Sequence, residues 1–173
     1  LGAIVPYDAA LAGKTHGEKC AEIAATLRDA GLSAAVLTLP ESLAWLLNIR
    51  GSDTARLPAP HGFAILAADA SVRLFVAPEK LDAAARTHLG TAVTVEPPAA
   101  FGAALAGLTG KVGVDPKTAL LWVRDRLAEG SAEIVWQRDP TVLPKACKTA
   151  AELAATRKAH LRDAGAMAAF LAW

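Results

Sequence analysis

The sequence predicts an α/β fold in which a mixed β-sheet is covered by helices and followed by a long C-terminal helix. Short apolar runs alternate along the chain with segments of helical periodicity, which is typical of alternating strands and helices. Two of these runs, at 63–67 and 72–76, flank a turn-forming segment at 69–71 and predict an antiparallel hairpin. The other runs are separated by helices, which favours parallel pairing, so we expect a mixed sheet.

The first part of the chain is interpreted as an irregular linker over residues 1–14 followed by an α/β domain. Thr15 and Glu18 have the spacing of a capping box, which predicts a helix over 15–30. A buried strand is expected at 33–38.

A second capping-box spacing occurs directly after this strand. Thr38 and Glu41 flank Pro40, which is favoured in the first turn of a helix. The pattern therefore predicts a short helix that ends at Asn48.

The α/β domain is predicted to continue to residue 148. Asp115 is expected to cap one of its helices, with Pro116 in the first turn. Thr149 and Glu152 form another capping box and predict a final helix over 149–173. The remaining helices are expected at 78–89, 97–108 and 116–127, and the remaining strands at 93–95, 111–114 and 134–136.

Composition and charge exclude several classes of protein. The 173 residues carry a formal net charge of +1 with acidic and basic residues interleaved, so we expect no nucleic-acid partner. No apolar run approaches the length of a membrane span, so no membrane partner is expected. Cys20 and Cys147 are too few for a disulfide framework and no secretory signal opens the chain, which favours a cytoplasmic protein.

No arrangement of side chains in the sequence predicts catalysis. No serine lies in a nucleophile elbow, and no pair of carboxylates stands apart from the solvated faces. The histidines lack the spacing of metal ligands, so we assign no catalytic, cofactor-binding or metal-binding residue. The aromatic residues interpreted as core rather than ligand-binding are Trp45, Trp122 and Trp136.

A compact polar segment follows the short helix and is the candidate functional site. Asn48, Arg50 and Asp53 place an amide, a guanidinium and a carboxylate within a few positions, and His61 follows shortly after. Loops set on a rigid scaffold often carry binding groups. The alternative is an ordinary helix-exit turn in which Gly51 supplies a positive φ.

The run Ser-Leu-Ala-Trp-Leu-Leu-Asn-Ile-Arg-Gly-Ser-Asp at 42–53 resembles the middle domain of three-domain Xaa-Pro aminopeptidases, of the creatinase/prolidase superfamily. The segment at 60–66 resembles the next strand of that domain, and Asp139-Pro140 resembles its exit. The helix that opens the catalytic domain is resembled by Glu152, Arg157 and the segments at 159–163 and 170–173, although Gly165 lies one place later than in the family pattern. The resemblance implies a creatinase-N-like, ribonuclease-H-like α/β fold.

The same resemblance implies the function of an accessory domain. The catalytic domain of this family holds two divalent metal ions, usually manganese, and its ligands would lie beyond Trp173. The chain alone is therefore expected to be inactive and to cooperate with its own catalytic domain in a homodimer that cleaves peptides with proline in second position. Asn48, Arg50, Asp53 and His61 are the expected interface or substrate-entrance residues.

Two alternatives stay open at this point. The parent protein could be a prolidase-like metallohydrolase of the same superfamily. It could also be a non-enzymatic interaction module, as the catalytically inactive superfamily members in histone chaperones are.

Overall fold

A six-stranded mixed β-sheet forms the centre of the computed structural model, which describes residues 2–173. Within these residues the strands are β1 (Ile4–Pro6), β2 (Ala34–Leu37), β3 (Ile49–Gly51), β4 (Phe63–Ala67), β5 (Val72–Phe75), β6 (Val93–Glu96), β7 (Thr109–Val114) and β8 (Ser131–Trp136). The sheet has the order β6-β5-β4-β2-β7-β8; β4 pairs antiparallel with β2 and β5, and the other pairs are parallel. β1 and β3 form a separate antiparallel pair. The predicted mixed sheet is confirmed.

Helices cover this sheet and continue beyond it. They are α1 (Ala9–Ala12), α2 (His16–Asp29), α3 (Pro40–Leu46), α4 (Ala83–Leu89), α5 (Phe101–Ala106), α6 (Leu121–Ala128), α7 (Val142–Ala146) and α8 (Ala150–Ala172). The predicted capping boxes at the starts of α2 and α8 are confirmed: Thr15 and Thr149 accept from the backbone N–H of Glu18 and Glu152, whose carboxylates accept in return.

Both faces of the sheet are buried, which explains why β2 is apolar at every position. Leu37 and Leu66 point into one core together with residues of α2, α3 and α4. Val36 and Ile65 point into a second core with residues of α5 and α6. Because successive strand residues face opposite sides, a strand between two helical layers needs no polar positions.

The expectation of irregular structure before Thr15 is wrong. β1 pairs with β3 and buries Ile4, and α1 is capped by Asp8, whose side chain accepts from the N–H of Ala10. A strand of three residues and a helix of one turn are too short to show a period in the sequence.

The predicted cap of α3 is also wrong. Its N-cap is Leu39, without a side-chain hydrogen bond, and the Oγ1 of Thr38 donates to the Oγ1 of Thr118 at 3.0 Å instead. Pro40 does occupy the first turn as predicted.

Three further helices begin later than predicted, after short turns. A 3-10 turn at Pro78–Lys80 precedes α4, which Asp82 caps, and another at Pro98–Ala100 precedes α5. Asp115 does not start α6, because its Oδ1 accepts from the N–H of Lys117 in a local turn. An aspartate that bonds to the backbone two residues on favours a turn as readily as a helix cap.

The core assignment of the tryptophans is wrong for two of them. Trp122 is 45% exposed and Trp136 is 52% exposed, whereas Trp45 packs against the first core. Trp136 lies on β8, which is an edge strand of the sheet. Trp122 lies on α6, where its ring centre is 5.9 Å from that of the buried Phe101, so the ring contacts the core while part of it stays in solvent.

The predicted long C-terminal helix is confirmed as α8, of 23 residues. Its first turns contact α1, and its last apolar residues are exposed, Trp173 by 98%. Neither α8 nor any other helix within residues 2–173 has the length and apolar character needed to cross a membrane.

Candidate functional site

A cleft of about 450 Å³ lies between α3, β3, the loop that follows β3, and the segment from α7 into α8. It is formed by parts of the chain that are far apart in sequence. Its lining includes Tyr7, Glu41, Trp45, Arg50, Pro58 and Lys148. The cleft therefore combines aromatic and apolar walls with charged groups, as ligand-binding clefts commonly do.

Arg50 is the candidate residue that lines this cleft. On β3 it alternates with the buried residues Ile49 and Gly51, so its half-buried side chain points to the opposite side. The guanidinium lies 3.7 Å from the ring centre of Tyr7, and its Nη1 donates to the carbonyl oxygens of Ile49 at 2.9 Å and Ala44 at 3.3 Å. These contacts hold the guanidinium in one orientation.

Gly51 is required by a close approach and not by a turn. A Cβ built at this position would lie 2.5 Å from the Cα of Pro60. The positive φ of this segment is found at Asn48, at 49°, so the suggestion that Gly51 supplies it is wrong.

Asn48 is buried and fixes the end of α3. Its Nδ2 donates to the carbonyl oxygen of Lys14 at 2.8 Å, and its Oδ1 accepts from the Nζ of Lys19 at 2.7 Å. Lys19 also donates to the carbonyl oxygen of Trp45 at 2.9 Å, and its Nζ lies 4.5 Å from the ring centre of Trp45. Burial lowers the pKa of Lys19 to about 8, although the negative charge of Glu152 opposes the shift.

Asp53 is held in a buried ion pair. Its Oδ2 accepts from the Nζ of Lys80 at 2.6 Å and from the backbone N–H of His61 at 2.7 Å, while its Oδ1 accepts from the N–H of Gly2 at 3.1 Å. Burial alone would raise the pKa of Asp53, but the bonds from Lys80, His61 and Gly2 and the charge of Lys80 lower it below its usual range. This carboxylate therefore joins the loop after β3 to the backbone just before β1 and to the turn before α4.

The four candidate residues do not form one surface. The structure brings Asp53 and His61 together, and the exposed ring of His61 has its Nε2 2.8 Å from the Oγ1 of Thr54. Asn48 is directed into the interior toward Lys19. Of the four, Arg50 alone lines the cleft.

Sequence reasoning missed the other charged residues of the cleft. Lys145 and Lys148 lie more than ninety positions after Arg50 in the sequence. They line the cleft because the segment from α7 into α8 lies beside α3. The Tyr7 ring arrives through the unpredicted pairing of β1 with β3. Such proximity leaves no local pattern in the sequence.

The residues of this chain do not fit the two-metal site that the resemblance implies for the catalytic domain. Among residues 2–173, no three His, Cys, Asp or Glu side chains are grouped as metal ligands. The carboxylate of Asp53 is already engaged by Lys80. Burial raises the pKa of the Cys20 thiol to about 12, so this thiol is not a source of thiolate.

Comparison with known families and proteins extends over nearly the whole chain. A family model described as the creatinase/prolidase N-terminal domain matches residues 1–152. A probable Xaa-Pro aminopeptidase P of Penicillium rubens is 29% identical over 170 residues, which cover 94% of this chain and 28% of that protein. A protein of the same name from Laccaria bicolor is 30% identical over 172 residues, which cover 96% of this chain and 26% of that protein.

Solved structures show the same architecture. The X-prolyl aminopeptidase of Caenorhabditis elegans, a cytosolic enzyme with a di-nuclear active site, matches with a TM-score of 0.90 and 27% identity. That match covers 100% of this chain and 29% of the C. elegans chain. An Xaa-Pro dipeptidase from Bacillus anthracis shares the fold over 80% of this chain, with a TM-score of 0.60 and 14% identity. The chain thus spans less than a third of the length of the curated relatives described above.

Proposed function

This chain belongs to the creatinase/prolidase N-terminal domain family, and from that membership we propose that it is a non-catalytic domain of an Xaa-Pro aminopeptidase. The observation that carries the proposal is the extent of the match to the C. elegans enzyme, which covers 100% of this chain and therefore includes α8. The relatives from P. rubens and L. bicolor bear the same name and support the same activity.

The parent enzyme would remove the N-terminal residue that precedes proline. Its two divalent metal ions, with manganese as the expected metal, would be held by residues of the catalytic domain that follow this chain, since within residues 2–173 no three His, Cys, Asp or Glu side chains are grouped as metal ligands. The di-nuclear active site of the C. elegans enzyme supports the presence of two metal ions in the parent enzyme. Since hydrolysis would depend on these metal ions, we expect no activity from this chain alone.

The proposed organisation of the parent places residues 15–148 in the accessory domain and 149–173 in the first helix of the catalytic domain. The strand and helix within 1–14 pack on the accessory domain and on α8, which supports a fixed junction between the two units. We propose that the parent enzyme is a homodimer located in the cytoplasm; the cytosolic C. elegans enzyme supports the location.

The role proposed for this domain is to border the active-site entrance. Arg50 would present its guanidinium to the substrate or to the catalytic domain, because it lines an open cleft. Asn48, Asp53 and His61 would support the segment that carries it, because their hydrogen bonds fix both ends of that segment.

The test compares this chain with its complete reading frame in hydrolysis of an Xaa-Pro peptide with added manganese. We expect activity in the longer protein and none in this chain. Activity in this chain itself would overturn the proposal, and activity in neither would favour a non-enzymatic interaction module. A comparison of Xaa-Pro dipeptides with longer peptides distinguishes an aminopeptidase from a dipeptidase.

The entrance role is tested by Arg50→Ala in the longer protein, with Arg124→Ala as the matched control. Arg124 is an exposed arginine whose guanidinium pairs with Asp125 on the surface of α6. We expect Arg50→Ala to change turnover of Xaa-Pro peptides and Arg124→Ala to leave it unaltered. Unchanged turnover and unchanged thermal stability in Arg50→Ala would rule out this role.

A further inference from the structure

The guanidinium of Arg50 has binding capacity that the protein does not use. A guanidinium carries five N–H donors, and the two bonds to Ile49 and Ala44 both come from Nη1. Within residues 2–173, Nε and Nη2 have no hydrogen-bond acceptor. These two nitrogens form the edge of the guanidinium that binds a carboxylate through two parallel hydrogen bonds.

This edge is presented in a fixed position. The stack on Tyr7 at 3.7 Å and the bonds from Nη1 immobilise the group before any ligand arrives. A planar donor pair that is already ordered loses little conformational entropy on binding. Arg50 therefore offers an anion a pair of hydrogen-bond donors that is already ordered.

The charged side chains that line the cleft together carry a net charge complementary to a ligand with a single negative charge. Lys145 and Lys148 line it with Arg50, and within the described residues none of the three has a carboxylate at ion-pair distance. Glu41 and Glu152 also line the cleft, and Glu152 already accepts from the N–H of Thr149. Three cations and two carboxylates leave one positive charge, which suits a carboxylate better than a phosphate dianion.

The walls of the cleft add an apolar surface beside this charge. Tyr7, Trp45, Leu57 and Pro58 contribute aromatic and aliphatic faces, and the volume of about 450 Å³ lies in the range of ligand-binding clefts. A ligand that suits both features carries an apolar group next to a carboxylate. The last residue of a peptide with a free C-terminus has this chemistry.

We propose that this cleft binds the free C-terminal carboxylate of an oligopeptide, with Arg50 as the bidentate donor and the last side chain against Tyr7 and Trp45. Lys145 and Lys148 strengthen the attraction. The inference rests on the proposed function only where it identifies the bound C-terminus as the distal end of a peptide substrate. Binding itself is a property of this chain and is measured without catalysis.

The test is isothermal titration calorimetry of this chain with the peptide Ala-Pro-Ala-Ala-Leu, as the free acid and as the C-terminal amide. We expect the free acid to bind at least about tenfold more tightly, since the amide loses the charge-assisted pair of hydrogen bonds. Equal affinities, or no binding of the free acid at millimolar concentration, would overturn the proposal. Either result would leave the aminopeptidase assignment untouched, because that depends on hydrolysis by the longer protein.

Variants separate recognition by Arg50 from a general effect of charge. Arg50→Lys keeps the charge but loses the planar donor pair, so we expect the free acid to bind about tenfold more weakly. Lys148→Ala should weaken binding by about two- to fivefold through loss of charge, while Lys158→Ala on the exposed face of α8 should not change it. If neither Arg50→Lys nor Lys148→Ala altered the affinity for the free-acid peptide, the proposed site would be refuted. Thermal melting of each variant serves as the control for folding.

Discussion

The ammonium group of Lys19 and the side-chain oxygen of Asn48 form a hydrogen bond of 2.7 Å inside the protein, across 29 positions of sequence. Lys19 is 2% exposed and Asn48 is 1% exposed. The same ammonium group donates to the carbonyl oxygen of Trp45, near the end of α3, and within residues 2–173 it has no carboxylate at ion-pair distance. The pair thus joins α2 to the point where the chain turns into β3 and toward Arg50.

Lys19→Met should destabilise the fold. The variant leaves the Oδ1 of Asn48 and the carbonyl oxygen of Trp45 without their buried donor, at a cost of about 1–3 kcal/mol in the free energy of unfolding. The measurement is urea denaturation followed by circular dichroism. Lys14→Met is the control, since the exposed pair of Lys14 with Glu22 should contribute about 1 kcal/mol or less. Equal effects of the two substitutions would contradict the structural role of Lys19.

The lowered pKa of Lys19 predicts a dependence of stability on pH. Burial brings it to about 8 in the folded protein, from the model-peptide value of 10.5, so between these values the unfolded chain binds more protons. The stability of the wild type relative to Lys19→Met should therefore rise as the pH increases from 8 to 10.5. The comparison cancels the opposing effect of Cys20, which both proteins retain. A difference that is constant or falls over this range would disprove the assignment.

The buried pair of Lys80 and Asp53 should show strong coupling. Their side chains are 5% and 7% exposed, so removing one partner leaves the other charge buried. A double-mutant cycle with Lys80→Met and Asp53→Asn should give a coupling energy of about 1–3 kcal/mol. The matched cycle on the exposed pair of Lys14 and Glu22 should give about 0.5 kcal/mol. If the two cycles gave the same coupling, the proposed anchoring by Asp53 would be wrong.

Two glycine-to-alanine substitutions should have opposite effects. At Gly51 the added Cβ would lie 2.5 Å from the backbone of Pro60, which cannot move freely, so Gly51→Ala should cost about 1–3 kcal/mol. At Gly165 nothing lies within 4 Å, and Gly165→Ala should stabilise α8 by about 0.5–1 kcal/mol. Thermal melting of both variants measures the difference. A neutral Gly51→Ala would show that β3 and Pro60 are less closely packed.

The exposed apolar residues of α8 should cause self-association of this chain. Met167, Phe170, Leu171 and Trp173 are 56%, 64%, 76% and 98% exposed, and burying each is worth about 1.5–3 kcal/mol. Sedimentation should show concentration-dependent association that Phe170→Ser with Leu171→Ser abolishes.

The control for this association is Leu121→Ser on α6, a leucine that is 72% exposed on a different helix. This substitution should leave the association unchanged. A monomer at all concentrations, with α8 retained in the far-ultraviolet spectrum, would contradict the prediction.

Local sequence determined the parts of the fold that depend on neighbouring residues. The capping boxes at Thr15 and Thr149 are set by side chains three positions apart, and the hairpin of β4 and β5 by two apolar runs around one turn. The continuous apolar pattern of β2 already indicated a strand buried on both faces. These features were predicted correctly because their physical causes lie within a few residues.

Tertiary structure alone decided the site. The polar segment after α3 was found in the sequence, but the burial of the Asn48 and Asp53 side chains follows from their distant partners Lys19 and Lys80. The stack on Tyr7 requires the pairing of β1 with β3, which no sequence period reveals. Side chains of the same segment have different roles because their burial and their partners are set by the packing of elements that are remote in sequence. Such long-range packing produces no residue spacing that could be recognised in the sequence.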